Sequence, residues 1–267
     1  MATPPIRHVL LDIEGTTCPV PFVSEVLFPY AAEHMEAFLD VHASEPSIAE
    51  LLRQVEKAWK EDPDPAAQAL RHCGSTIPPN PETLETSSVS TTGPFPQSLI
   101  PYLQWLIQTD RKLAPLKELQ GLIWEEGYRS GALNGPLYDD VPPALQRWQQ
   151  AGLILSVYSS GSTKAQQLLY QYSNAGDLRS LFHHWFDTRI GSKHEPKSYE
   201  RICTQIGCPC AQVLFISDSY AELHAANTAG LPVLHSDRDP QASQPLEQGA
   251  LPTTAFTRIS SFALLNP

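Results

Sequence analysis

Five short apolar runs set the limits on what this chain can become. Ile6 to Leu11, Leu153 to Tyr158, Trp185 to Asp187, Val213 to Ser217 and Leu231 to Leu234 read as buried strands. From Leu137 onward the runs alternate with helical patterns at Pro142 to Gln150, Ser162 to Tyr172, Ser198 to Ile206 and Tyr220 to Ala229. Prolines open the first of these helices and Gly152 closes it. Strands alternating with helices require right-handed crossovers, hence a parallel sheet. The first run must join that sheet from across a long intervening stretch.

That stretch is helical in pattern. Phe22 to Leu39 carries a helical face, with Pro29 expected to kink or break it. Ile48, Leu51, Leu52, Val55 and Trp59 recur at helical spacing, as do Leu116, Leu119, Ile123 and Trp124 within Ala114 to Arg129. Ser98 to Gln108 is a further helix, whereas Thr76 to Gln97, rich in Pro, Ser and Thr, reads as a flexible loop. The expected architecture is α/β: a doubly wound, Rossmann-like parallel sheet built from residues 1–20 and 137–267, with an all-helical cap at 21–136.

A net charge of -11 opposes a nucleic-acid or anionic-membrane surface. Met1 to Pro5 lacks the basic and apolar blocks of a signal peptide, and no apolar run approaches a membrane span, so a cytoplasmic address is expected. Nothing calls for an obligate partner, and a monomer is expected. The five cysteines are odd in number and scattered, which argues against a disulfide framework. Cys208 and Cys210 have one residue between them, too close for the usual zinc spacing, so reduced thiols in a helix-to-strand turn are expected.

Reactive groups gather where the strands end, and in an open parallel sheet that is where ligands bind. The first strand ends in Asp12-Ile13-Glu14-Gly15-Thr16-Thr17, two carboxylates one residue apart. The second ends in Ser159-Ser160-Gly161-Ser162 and runs into a helix, whose N-terminal amides favour anions. Beyond the third, Lys193 precedes a helix and can neutralise a phosphate; Lys197 is its rival, and lies less far before the helix. The fourth ends in Ser217-Asp218, with Glu222 in the following first turn. Each feature alone has a plain structural reading: an acidic turn, an N-cap, a solvated lysine, a dipole-favoured acid. Two or three acidic oxygens with waters suit Mg²⁺, which shares its ligands with substrate phosphates.

In these residues the chain resembles the phosphatases of the haloacid dehalogenase superfamily, and among them the enolase-phosphatase (acireductone synthase) family of methionine salvage. Leu10 to Thr17, Leu27-Phe28-Pro29-Tyr30, Leu116 to Gly121 with Trp124, Tyr158 to Ser162, Phe186 to Lys193 and Phe215 to Asp218 carry the likeness. Glu14 stands where most of the superfamily has Asp, and Glu222 where many members have a second Asp. The resemblance implies Asp12 as nucleophile and Glu14 as acid and base. It implies Ser159, Ser160 and Lys193 as phosphate or substrate ligands, and one Mg²⁺ held by Asp12, Glu14 and Asp218. The implied substrate is 2,3-diketo-5-methylthiopentyl-1-phosphate, enolised and then dephosphorylated to the acireductone. The alternatives are another small-metabolite phosphatase on the same core, a phosphoglycolate phosphatase for instance, or a non-catalytic module that binds a phosphorylated ligand.

Overall fold

The computed structural model describes residues 5–72, 97–238 and 256–267, and every structural statement below concerns those residues. Most of the stretch read as a flexible loop, and Cys73, lie outside them. The chain divides into two units, Met1–Val23 with Tyr128–Pro267, and Ser24–Gly127.

The first unit is built on six parallel strands: β1 (His8–Leu11), β2 (Ile154–Tyr158), β3 (Phe182–Phe186), β4 (Val213–Ser217), β5 (Val233–Ser236) and β6 (Arg258–Ile259). They lie in the order β3-β2-β1-β4-β5-β6. Every residue of β1 and β4 is buried, as central strands covered on both faces must be. Val9, Leu10, Leu11, Phe215 and Ile216 are fully shielded, each stabilising the fold by about 1.5–3 kcal/mol relative to an exposed side chain.

The second unit holds the helices α1 (Phe28–His42), α2 (Pro46–Glu61), α3 (Pro65–His72), α4 (Ile100–Gln108) and most of α5 (Ala114–Ser130). A π-helical turn over Phe22–Leu27 precedes α1. Pro29 therefore falls in the first turn of α1, where its missing N–H removes no helical bond. Ile48, Leu52, Val55 and Trp59 form the buried stripe of α2, and the Trp59 ring stacks on Tyr102 at 5.0 Å. The Trp124 indole donates to the Leu27 carbonyl at 2.7 Å. These aromatics are packing elements of their own unit.

The sheet unit continues with α6 (Val141–Gln150), α7 (Thr163–Gln171), α8 (Pro196–Ile206) and α9 (Tyr220–Thr228). Tyr199, Ile202, Leu223 and Ala226 of α8 and α9 share one buried cluster with Leu10 and Phe215. From β1 the chain steps outward to β2 and β3, then crosses back to β4 and on to β5. Strand order reverses beside β1, which makes its carboxyl end the switch point where crevices open.

Three local readings change. The third strand begins earlier, at Phe182, because Phe182 and Phe186 are its buried ends. The fifth runs from Val233 to Ser236, two residues beyond the apolar run, its last residues buried by non-local neighbours. Arg258–Ile259 adds a short parallel strand where no strand was read from the sequence. Cys203 is buried, Cys208 and Cys210 are half-buried, and all three are free thiols.

Candidate active site

Register brings the strand ends level. Leu11 pairs with both Val157 and Ile216, so Asp12 stands beside Tyr158 and Ser217, and Ser159 and Asp218 lie one residue further. The Asp12 amide extends the ladder by donating to the Ile216 carbonyl at 3.0 Å.

Asp12 is 5% exposed, and both its carboxylate oxygens are occupied. Its Oδ1 accepts from the Ile13 amide at 2.8 Å and the Lys193 ammonium at 2.6 Å, and its Oδ2 accepts from the Ser217 hydroxyl at 3.0 Å. Lys193, 7% exposed, also meets Glu222 Oε2 at 2.6 Å. Burial alone would lower the Lys193 pKa, but the Asp12 and Glu222 carboxylates together outweigh it and hold the ammonium above its ordinary value. Its loop is pinned from two sides: Tyr158 Oη donates to the Gly191 carbonyl at 2.9 Å and Tyr199 Oη to the Lys193 carbonyl at 2.8 Å. Lys197 is exposed.

Ser217 has one hydroxyl proton but lies within hydrogen-bond distance of two carboxylates, Asp12 Oδ2 and Glu222 Oε2 at 2.9 Å. It also accepts from the Ser219 amide at 3.1 Å. A proton on Glu222 would satisfy every partner at once, since Glu222 could then donate to Ser217 while Ser217 donates to Asp12. Burial, reinforced by the Asp12 charge, pushes Glu222 up to about 7.

Asp218 is half-buried and is not the cap of α9; that role belongs to Ser219, whose hydroxyl accepts from the Glu222 amide. Its carboxylate lies against the Gly15 backbone, where a Cβ would fall 2.1 Å from Asp218 Oδ2. Gly15 also has φ +65, so space and backbone both exclude a larger residue. Burial first, then the Asp12 charge, pushes Asp218 up to about 7, and Glu14 adds to the effect. Glu14 itself is half-buried. With burial, its charge helps drive the Cys18 thiol up to about 12.

At the second strand end Ser159 is buried and Ser160 exposed. The Ser159 hydroxyl accepts from the Gly161 amide at 3.3 Å, and Gln166 braces the turn by donating to the Gly161 and Phe186 carbonyls, both at 2.8 Å. Ser162 caps α7 through the Ala165 amide, while Asp187 accepts from the Thr163 amide.

Asp12, Lys193 and Asp218 thus share one locality, with Glu14 on the adjoining turn. Two partners went unassigned in the sequence, Ser217 and the direct Glu222–Lys193 contact. Glu222 had a signal: it lies four residues after Asp218, in the first turn of a helix that starts at the same strand tip. Asp12, Asp218 and Glu222 outnumber the Lys193 ammonium, and the Asp12 charge adds to burial in raising Asp218 and Glu222. No group of three or more His, Cys, Asp or Glu side chains among the described residues forms a ready metal cage. The neighbouring Asp12 and Asp218 carboxylates, completed by waters, are nevertheless a donor set that suits Mg²⁺, and the residues present fit it.

The chain belongs to the haloacid dehalogenase-like hydrolases, whose family model matches residues 6–230. Among curated proteins it is 48% identical over 233 residues to Enolase-phosphatase E1 of Synechococcus sp. (strain RCC307), covering 87% of this chain and 86% of that protein. It is 44% identical over 239 residues to Enolase-phosphatase E1 of Synechococcus sp. (strain CC9902), covering 90% and 92%. Among solved structures it resembles the UTR4 protein of Saccharomyces cerevisiae at 28% identity and a TM-score of 0.66, covering 97% of this chain and all of that one. Within the hydrolase class its family is that of enolase-phosphatase E1.

Proposed function

We propose that the protein is a Mg²⁺-dependent enolase-phosphatase of methionine salvage. It converts 2,3-diketo-5-methylthiopentyl-1-phosphate to the acireductone 1,2-dihydroxy-3-keto-5-methylthiopentene and phosphate. The observation that carries the phosphatase half is the 2.6 Å contact of a buried strand-end carboxylate with a buried ammonium. The substrate rests on the relatives named Enolase-phosphatase E1.

Asp12 is the nucleophile. One of its carboxylate oxygens forms the new bond to phosphorus as the bond to the leaving oxygen breaks, giving an aspartyl-phosphate. Glu14, protonated at that moment, gives its proton to the leaving oxygen. As a carboxylate it then takes a proton from water, whose oxygen attacks phosphorus and frees both phosphate and Asp12. Lys193 is a fixed positive charge beside the phosphoryl oxygens, and Ser159 and Ser160 hold phosphate or substrate. Asp12, Asp218 and Glu14 would hold Mg²⁺, which when bound would supply positive charge near the phosphoryl group and near the oxygens that become anionic on enolisation. The protein works as a cytoplasmic monomer on a small phosphorylated molecule; its acidic surface suits neither nucleic acid nor membrane.

The test is turnover by purified protein with Mg²⁺ and the diketone phosphate, followed as phosphate released and as enediol absorbance. Both signals are expected, and Asp12→Asn is expected to abolish phosphate release while leaving the circular dichroism unchanged. No turnover by the parent protein rejects the function; substantial turnover by the variant rejects the nucleophile.

A further inference from the structure

The turn that carries Glu14 is not closed by its own residues alone. Inside it, the Thr16, Thr17 and Cys18 amides all converge on the Ile13 carbonyl at 2.8–3.1 Å. The Gly15 and Thr16 carbonyls are taken instead by the far end of β5. Ser236 Oγ donates to the Gly15 carbonyl at 3.0 Å, and Arg238 donates to the Thr16 carbonyl through Nε at 2.9 Å and Nη2 at 2.7 Å. The remaining edge of the guanidinium meets both oxygens of Asp140, at 3.0 and 2.8 Å. Asp140 in turn accepts from the Ser261 hydroxyl and the Phe262 amide. The guanidinium lies 4.7 Å from the Tyr138 ring and 4.3 Å from the Phe262 ring, and the side chain is 7% exposed.

A planar fork gripping one carbonyl with two N–H groups fixes that carbonyl in direction as well as position, which an ammonium cannot do. The turn needs such a grip. Gly15 brings backbone freedom to it, and its neighbour Asp218 leaves no slack on that side. We infer that Arg238, seconded by Ser236, is a positioning residue for phosphoryl transfer: through the Thr16 and Gly15 carbonyls it sets where Glu14 stands relative to Asp12 and Asp218. The inference rests on the enolase-phosphatase reading and adds a fifth strand end to the four that carry its chemistry. Asp140 and the Ser261–Phe262 segment orient the guanidinium from behind.

The experiment compares the parent protein with Arg238→Met, Arg238→Lys and Ser236→Ala. It reads kcat and KM for phosphate release, and amide hydrogen exchange over Asp12 to Cys18, at a temperature where circular dichroism shows each variant folded. Misplacement of a catalytic group by about an ångström costs up to about a hundredfold, so Arg238→Met is expected to lose ten- to a hundredfold in kcat with KM within about threefold. Its turn amides should exchange faster. Arg238→Lys should recover thermal stability but little of kcat, since one ammonium cannot serve both Thr16 and Asp140. Retained kcat in Arg238→Met, or lost kcat with turn exchange unchanged, overturns the inference. Should Arg238→Met not fold, Ser236→Ala decides: it keeps the Arg238–Asp140 pair, and a parent-like kcat with parent-like exchange overturns the clamp. A parent protein that releases no phosphate instead fails the enzymatic reading, while the exchange comparison still tests whether the clamp holds the turn.

Discussion

Replacing Lys193 by Met tests the centre most directly, because this ammonium lies 2.6 Å from two carboxylates at once. Removing it leaves Asp12 and Glu222 facing each other in a buried site, with Asp218 adding further negative charge. Breaking a buried pair from one side costs about 3–5 kcal/mol. At 2–4 °C per kcal/mol for a chain of this size, the expected loss in Tm is about 6–20 °C. The loss should sit toward the lower end at acid pH, where Glu222 takes up a proton and relieves the repulsion. Catalysis should fall further than stability explains. Deleting one donor aimed at a charge-bearing transition state typically costs about 10²–10³ in kcat, and that range is expected here for protein still folded at the assay temperature. Lys193→Arg should not restore it, since the bulkier planar group cannot replace a point charge in this pocket. Lys197→Met is the control: the residue is exposed, and its stability change should stay within about 0.5 kcal/mol with kcat unchanged. Thermal melts and phosphate-release kinetics on the three variants provide the readout. A folded Lys193→Met protein with kcat within threefold of the parent would refute the reasoning.

Gly15→Ala should be more damaging than its single methyl implies, because φ is +65 and the new Cβ would lie 2.1 Å from Asp218 Oδ2; a parent-like kcat and Tm would mean the turn moves freely. Glu14→Gln should slow both leaving-group departure and hydrolysis of the aspartyl-phosphate, measured by single-turnover and steady-state phosphate release, and unchanged rates would remove it from the acid–base role. Asp218 and Glu222 hold their protons up to about 7, against ordinary values of 3.8 and 4.5, so the folded state binds protons that the unfolded state releases. Between about pH 4 and about pH 7 the metal-free protein should therefore lose stability as pH rises. Mg²⁺ at a hundred times its Kd should restore about 2.7 kcal/mol, raising Tm by about 5–10 °C at neutral pH and by less in acid. A Tm at neutral pH that ignores Mg²⁺, or the same Mg²⁺ effect in Asp218→Asn, would sink that account.

The strands of the sheet unit were legible because parallel strands buried on both faces are written as continuous apolar runs, a local signal. The edges were less so. β3 starts three residues before its reading and β6 was missed, since an edge strand needs only partial burial and a two-residue strand has no pattern to find. Pro29 announced the break between the π-helical turn and α1 for an equally local reason, its missing N–H. Alternation of strand and helix also placed Asp12, Ser159 and Asp218 at strand ends and Lys193 in the loop beyond one, because chain direction decides which end of a strand is which.

Contact across the chain was another matter. Lys193 meets Asp12 across 181 residues, Ser217 reaches Asp12 across 205, and Arg238 grips Thr16 across 222. No local pattern separates Lys193 from Lys197 on energetic grounds, joins Glu222 to an ammonium on a different loop, or marks Arg238 as the partner of a carbonyl near the start of the chain. The sequence by itself determined which elements form and which ends carry polar groups, since propensity, periodicity and turn chemistry act over a few neighbours. Only the tertiary structure decided which charges are buried together, because burial and Coulomb energy depend on distances that exist once the strands are in register.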